Sequence, residues 1–135
     1  LISSALNTNS WSQLPFPSRD VVIIQLTGLY GKCMILNIYN NGKSPAILTL
    51  LATHLEDNIH QICPSSGNHM LWLGDFNCHH LMWEEERNAH LLTNRYLADT
   101  QPLIELLADY GMVMTLPKDL PTLESLATRN WTCPD

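Results

Sequence analysis

Two strand-length apolar runs, Val21-Val22-Ile23-Ile24-Gln25-Leu26 and Cys33-Met34-Ile35-Leu36-Asn37-Ile38-Tyr39, are separated only by residues 27–32, with Gly28 and Gly31 in the connection. Runs this rich in β-branched side chains favour extended backbone, and so short a link allows only antiparallel pairing. The expectation is a hairpin. Because neither run alternates strictly with polar residues, both of its faces are expected to be buried.

Beyond the hairpin, Asn40-Asn41-Gly42-Lys43 is loop chemistry, and Ser44 is placed to cap a helix with Pro45 in its first turn. Ile47, Leu51, Leu55 and Ile59 recur at four-residue spacing, joined by Leu48 and Ile62, so one face of that helix is apolar. The breakers Pro64-Ser65-Ser66-Gly67-Asn68 precede a strand over Met70 to Leu73, giving strand, helix, strand in order. A second helix is expected to start near Ala98 or Thr100, carry Leu103, Ile104, Leu106, Leu107 and Tyr110, and stop with Gly111 at C′. Met112 to Leu116 and Thr128 to Thr132 read as short strands. Residues 1–19, with Pro15, Pro17 and little periodicity, read as an irregular lead-in segment, and residues 20–135 as one partial domain.

A chain of 135 residues is sufficient for one domain. Seven basic against thirteen acidic residues leave a net charge of −6, the wrong sign for holding nucleic acid mainly by neutralising phosphates. Contact with DNA would have to lean on metal ions or on parts outside the chain. Cys33, Cys63, Cys78 and Cys133 form no C-x-x-C pair, and with no secretion signal in residues 1–10 the expected state is reduced thiols inside a cell. No apolar stretch has the length of a membrane span. Leu1 at the start and Asp135 in the middle of a polar segment suggest an excised piece, with elements missing at both ends.

Chemistry is concentrated at Leu71-Trp72-Leu73-Gly74-Asp75-Phe76-Asn77, where an apolar strand runs into a glycine, a carboxylate and an amide. Continued pleating would aim Asp75 and Asn77 the same way and turn Phe76 into the core. A plainer alternative makes Asp75 a turn-capping aspartate. His79 and His80, with Cys78 before them and Glu84 to Glu86 after, raise the question of zinc, but neighbouring residues chelate poorly and no spaced Cys/His set is present. The His79-His80 turn is instead expected beside the cleft with Trp83 as the anchor of its loop. Glu84-Glu85-Glu86-Arg87 reads as a solvated helical start.

Four blocks together carry a resemblance: Leu36-Asn37-Ile38-Tyr39-Asn40; Trp72-Leu73-Gly74-Asp75-Phe76-Asn77 followed by His79-His80 and Trp83; Leu116-Pro117 with Pro121-Thr122-Leu123; and Asn130-Trp131-Thr132-Cys133-Pro134-Asp135. Over roughly residues 20–135 the chain resembles the endonuclease/exonuclease/phosphatase superfamily, and within it the endonuclease domains of non-LTR (LINE-type) retrotransposons. The resemblance implies an α+β fold, a four-layer α/β/β/α sandwich of the DNase I-like kind, here partial. It also implies Mg²⁺- or Mn²⁺-dependent phosphodiester hydrolysis on DNA, a reverse-transcriptase domain in the full-length protein, no membrane, and a nuclear location.

By position, Asp75 resembles the acid that holds the metal and deprotonates or positions the attacking water, and Asn77 the neighbour that orients water and scissile phosphate. Tyr39 resembles a tyrosine donating to the phosphate, and Asp135 an acid that orients a catalytic histidine beyond the chain. Thr122, His80 and Asn37 are implied as substrate contacts. Phosphodiester hydrolysis needs donors on the nonbridging oxygens and a base for water, which suits these residue types. The sequence departs from the family in lacking an upstream asparagine and metal-binding glutamate, in ending before the Asp-His pair, and in having Cys133 where relatives carry a basic residue. The 135-residue chain alone is therefore expected to be inactive, and its Val21 to Leu26 strand is expected to be an unpaired edge. The rivals are a catalytically incomplete transposon remnant, or a superfamily phosphatase acting on small phosphoesters.

Overall fold

The computed structural model describes residues 3–62, 68–117, 123–124 and 131–132. In chain order the elements are β1 (Trp11–Leu14), β2 (Val21–Gly28), β3 (Gly31–Tyr39), α1 (Ala46–Asp57), α2 (Ile59–Ile62), β4 (His69–Asp75), α3 (Asn94–Asp109), β5 (Leu123–Glu124) and β6 (Trp131–Thr132). Four strands form one sheet in the order β1-β2-β3-β4, and β5 pairs with β6 separately. Helices and a mixed sheet make the class α+β.

The chain forms two compact units, one from residues 1–39 and 50–74, the other from 40–49 and 75–135. In the first, the expected hairpin is present, with Val21 opposite Ile38, Ile23 opposite Leu36 and Gln25 opposite Met34. Period-two geometry puts Val21, Ile23, Met34, Leu36 and Ile38 on one buried face. The expectation of burial on both faces is corrected: Val22, Ile24 and Ile35 are only half-buried, and Asn37 and Tyr39 are exposed. A continuous β-branched run tolerates this because each side chain retains its cross-strand neighbours even where one face is open.

Residues 3–19 are also more ordered than their lack of periodicity implies. Trp11–Leu14 pairs antiparallel with β2, Trp11 opposite Leu26 and Leu14 opposite Ile23. β2 is therefore an interior strand with β1 on one side and β3 on the other, not the exposed edge expected from the sequence. Four residues are too few to show alternation, and their pairing partner supplies what the local pattern lacks.

The Ser44 Oγ accepts from the Ala46 N–H at 3.2 Å, as expected of a cap; Leu51 and Leu55 are buried where the four-residue pattern placed them, and Leu48 and Ile62 are buried with the apolar face they were expected to join. Ile59 departs from the pattern and is exposed, because α1 ends at Asp57 and Asn58 breaks the phase before α2. β4 closes the sheet beside β3. Its Gly74 has φ 128°, and a Cβ there would lie 2.0 Å from the Ile38 carbonyl oxygen. Glycine is thus required for β3 and β4 to approach at this point.

The second unit has its own core: Leu48, Cys78, Trp83 and Leu103 are buried together, with Phe76, Ile104 and Leu107 packed against them. α3 begins at Asn94, earlier than expected, because Thr93 caps it by accepting from the Tyr96 N–H at 3.3 Å. Pro102 lies well inside the helix rather than in its first turn. At the other end Met112 N–H reaches the Leu107 carbonyl at 2.8 Å and Gly111 N–H the Ala108 carbonyl at 3.1 Å, the double bond of a Schellman ending with Gly111 at C′ as expected. Met112 to Leu116 forms no strand, and of the expected strand over Thr128 to Thr132 only Trp131–Thr132 is described, paired with Leu123–Glu124.

Candidate functional site

The Gly-Asp-Phe-Asn segment forms a turn, not a continued strand. β4 ends at Asp75, whose Oδ1 accepts the Asn77 N–H at 3.0 Å, and Asn77 takes a left-handed φ of 48°. Asn tolerates this conformation better than most residues because its short amide can bond locally. The expectation that pleating alone aligns Asp75 with Asn77 is corrected, since the pleat stops between them. Phe76 does pack against the core as expected.

What holds the turn is Asn40, a buried residue just after β3. Its N–H donates to the Asp75 carbonyl at 2.8 Å, its Nδ2 to the Phe76 carbonyl at 2.9 Å, and its carbonyl accepts from Asn77 Nδ2 at 2.6 Å. Gly42 adds to this contact, because a Cβ at its φ of 65° would come within 2.9 Å of the Asn77 carbonyl oxygen. The loop after β3 and the turn after β4 are thereby joined by three hydrogen bonds and a close backbone approach. Sequence reasoning treated Asn40 as loop chemistry, and nothing local to it signals this role.

Next to the turn, Cys78 Sγ lies 3.6 Å from Asn40 Nδ2. Burial pushes the Cys78 thiol above the ordinary range, against the opposing effect of hydrogen bonds from Asn40 and Thr100. Trp83 is buried and donates from Nε1 to the Cys78 carbonyl at 3.0 Å, so it anchors the His79-His80 loop as expected. Burying Trp83 draws Glu84 inward as well. Glu84 is only 3% exposed and its Oε1 meets His79 Nδ1 at 3.0 Å, which corrects the expectation of a solvated Glu84-to-Arg87 helical start. Glu85 and Arg87 form an ion pair nearer the surface, and a 3₁₀ helix follows over Glu86–Leu91.

A cleft of about 550 Å³ opens in this unit, and its walls include Asn40, Lys43, Asn77, His79, Tyr96 and Thr100. Of the two histidines, His79 lines the cleft, whereas His80 accepts the Met82 N–H at 3.2 Å through Nδ1 and leans against Trp83. In the other unit, Tyr39 and Asn37 share the open face of β3, and Tyr39 is 51% exposed, so its phenol is not part of the core. Thr122, Cys133 and Asp135 lie outside the described residues, as does Cys63. Among the described residues, Cys33 and Cys78 are free thiols, and no three His, Cys, Asp or Glu side chains are grouped to hold a metal ion. No described helix is long and apolar enough to cross a membrane.

The sequence profile of the endonuclease-reverse transcriptase family matches residues 33–132, from within β3 through the Asp75-Phe76-Asn77 turn to β6. A mixed sheet leading into that turn, together with this match, defines an endonuclease-type domain of the endonuclease/exonuclease/phosphatase superfamily. The chain belongs to the endonuclease-reverse transcriptase family. No curated protein and no solved structure matches it.

Proposed function

We propose that this chain carries the phosphodiester-cleaving site of a non-LTR retrotransposon endonuclease that nicks DNA with Mg²⁺ or Mn²⁺. The observation that carries the reading is the turn fixed by Asn40, which holds Asp75 and Asn77 at the end of a sheet strand in a conformation loops seldom keep unaided. A Mg²⁺ ion commonly takes only one or two carboxylates from a protein and fills its shell with water and substrate phosphate, so Asp75 is a fitting ligand without a larger cluster. When bound, such an ion neutralises the charge developing on the phosphoryl oxygens.

In this reading Asp75 accepts the proton of the attacking water and contacts the ion. Its capping bond to Asn77 does not exclude this, since a carboxylate offers about four lone-pair positions. Asn77 orients water and the scissile phosphate, Tyr39 donates to a nonbridging oxygen, and Asn37, Thr122 and His80 contact the strand. Asp135 orients an acid/base histidine supplied by the longer protein. A reverse-transcriptase domain in the same polypeptide and action in the nucleus accompany the family assignment. The half-buried Val22, Ile24 and Ile35 face supports a second layer against the sheet, as in an α/β/β/α sandwich of the DNase I-like kind.

The same capping bond favours a second reading, in which Asp75 only closes its turn and the chain is an inactive remnant. Nicking of supercoiled plasmid by the full-length protein separates the two. With Asp75 as the water-positioning acid, Asp75→Asn lowers the nicking rate about 10²- to 10⁴-fold at unchanged melting temperature, while His80→Ala costs far less. Equal, small losses in both variants would leave Asp75 as a turn cap only, and no nicking by the wild type would support the remnant.

A further inference from the structure

The buried carboxylate of Glu84 has no part in the proposed hydrolysis. Its Oε1 meets His79 Nδ1 at 3.0 Å, and its Oε2 has no hydrogen-bond partner among the described residues. An ionised carboxylate only accepts, so opposite one the ring donates from Nδ1, and the contact holds the imidazole in one orientation. His79 is further held by Thr100 Oγ1, which donates to its backbone carbonyl at 3.1 Å, and by the edge of the Tyr96 ring, 5.4 Å between centroids. Nε2 makes no bond among the described residues and belongs to a side chain that lines the cleft.

The rest of the cleft suits one kind of ligand. Lys43 and Arg95, two of only seven basic residues in an acidic chain, both line it. Asp99 is the acidic residue there, and it is taken up with Arg95 across 3.5 Å in an exposed pair of little energetic weight. Tyr96 is 46% exposed and presents an aromatic surface beside the imidazole. An oriented imidazole, two cations and an aromatic face within about 550 Å³ match a nucleotide, with a phosphate for the first three and a sugar or base for the last.

We propose that this cleft is a subsite for one nucleotide of a DNA strand, in which His79, oriented by Glu84, donates from a protonated Nε2 to a backbone phosphate while Tyr96 supports the adjoining base or sugar. The proposal rests on the endonuclease reading for its choice of DNA. Donation from both ring nitrogens requires the doubly protonated imidazole, whose charge the buried Glu84 carboxylate would offset. Glu84 is a positioning residue, since it touches His79 and not the strand.

The test uses a short fluorescein-labelled single-stranded oligonucleotide, read by anisotropy, together with ¹⁵N spectra of histidine-labelled protein. With each variant shown to be folded at the assay temperature, His79→Gln and Tyr96→Ala should each weaken binding about ten-fold, and Glu84→Gln several-fold. Saturating oligonucleotide should move the His79 Nε2 resonance of the wild type to that of a protonated nitrogen, and should fail to do so in Glu84→Gln. A folded His79→Gln variant that binds like the wild type, or a His79 spectrum indifferent to oligonucleotide, would overturn the proposal. Asp75-dependent plasmid nicking with binding indifferent to His79 would remove the subsite and leave the endonuclease reading. His79-dependent binding by a protein that never nicks would remove the endonuclease reading and keep the subsite.

Discussion

Asn77 Nδ2 donates to the Asn40 carbonyl oxygen across 2.6 Å, joining the turn after β4 to the residue that follows β3. These two residues are far apart in sequence, and because the acceptor is a main-chain oxygen the bond depends on the Asn77 side chain and on where the backbone at Asn40 lies. The Asn40 side chain adds its own bond, from Nδ2 to the Phe76 carbonyl, which makes Asn40 a structural determinant of the Asp75-Phe76-Asn77 turn, though it carries none of the proposed chemistry.

Asn40→Ala should therefore destabilise the chain by about 1 to 3 kcal/mol, because it strips the Phe76 carbonyl of its buried donor. Asn40→Asp should be worse, since a carboxylate cannot donate to that carbonyl and introduces a buried charge. Urea denaturation of the two variants checks the order. A stable Asn40→Asp variant would show that the turn holds without this residue.

Gly74→Ala should be among the most damaging single-methyl changes. The added Cβ would lie 2.0 Å from the Ile38 carbonyl at a backbone φ of 128°, so β3 and β4 must separate. A loss of at least about 3 kcal/mol is expected. Gly28→Ala is the control: it sits in β2 with nothing within 4 Å of the added methyl, and its melting temperature should stay close to the wild type.

Burial raises the Cys78 thiol above its ordinary value of 9.0, so the folded chain holds this proton more tightly than the unfolded chain. The associated stability is fully present below pH 9.0 and is lost as the pH climbs through the raised value. Denaturant midpoints measured across alkaline pH should fall, and should fall less in Cys78→Ala after correction for its lower starting stability. Iodoacetamide at mildly alkaline pH, mapped by peptide mass spectrometry, should label Cys33 well before Cys78.

Thr93→Ala removes the hydroxyl that accepts the Tyr96 N–H, leaving a first-turn donor of α3 without its cap. A cost of about 1 kcal/mol is expected. Thr93→Ser should restore most of it, and thermal melts of the two variants would show whether the cap or the methyl group matters.

Local pattern was sufficient for the elements whose reasons lie within a few residues. The β2–β3 hairpin follows from two β-branched runs and a glycine-marked link, α1 from Ser44 and a four-residue apolar spacing, and the end of α3 from Gly111. Trp83 could be expected to anchor its loop because a large indole gains by burial, and it is buried. Even the Asp75-Phe76-Asn77 turn was visible as an acid and an amide closing an apolar strand, although its backbone was not.

Tertiary contacts decided the remainder, each time by supplying a partner that neighbouring residues do not reveal. Trp11-Ser12-Gln13-Leu14 is a strand only because β2 lies alongside, and α3 continues through Pro102 because its first turn is capped at Thr93 and its Leu103 and Leu106 are buried. A run of three glutamates looks like solvated surface until the buried Trp83 draws Glu84 to His79. Asn40 and Asn77 meet because β3 and β4 end side by side, which no sequence spacing expresses. Propensity and periodicity act over one or two turns of chain and fix the type of element. Hydrogen bonds between distant segments, and the cost of burying a polar group without one, determine which polar residues are drawn together at a site.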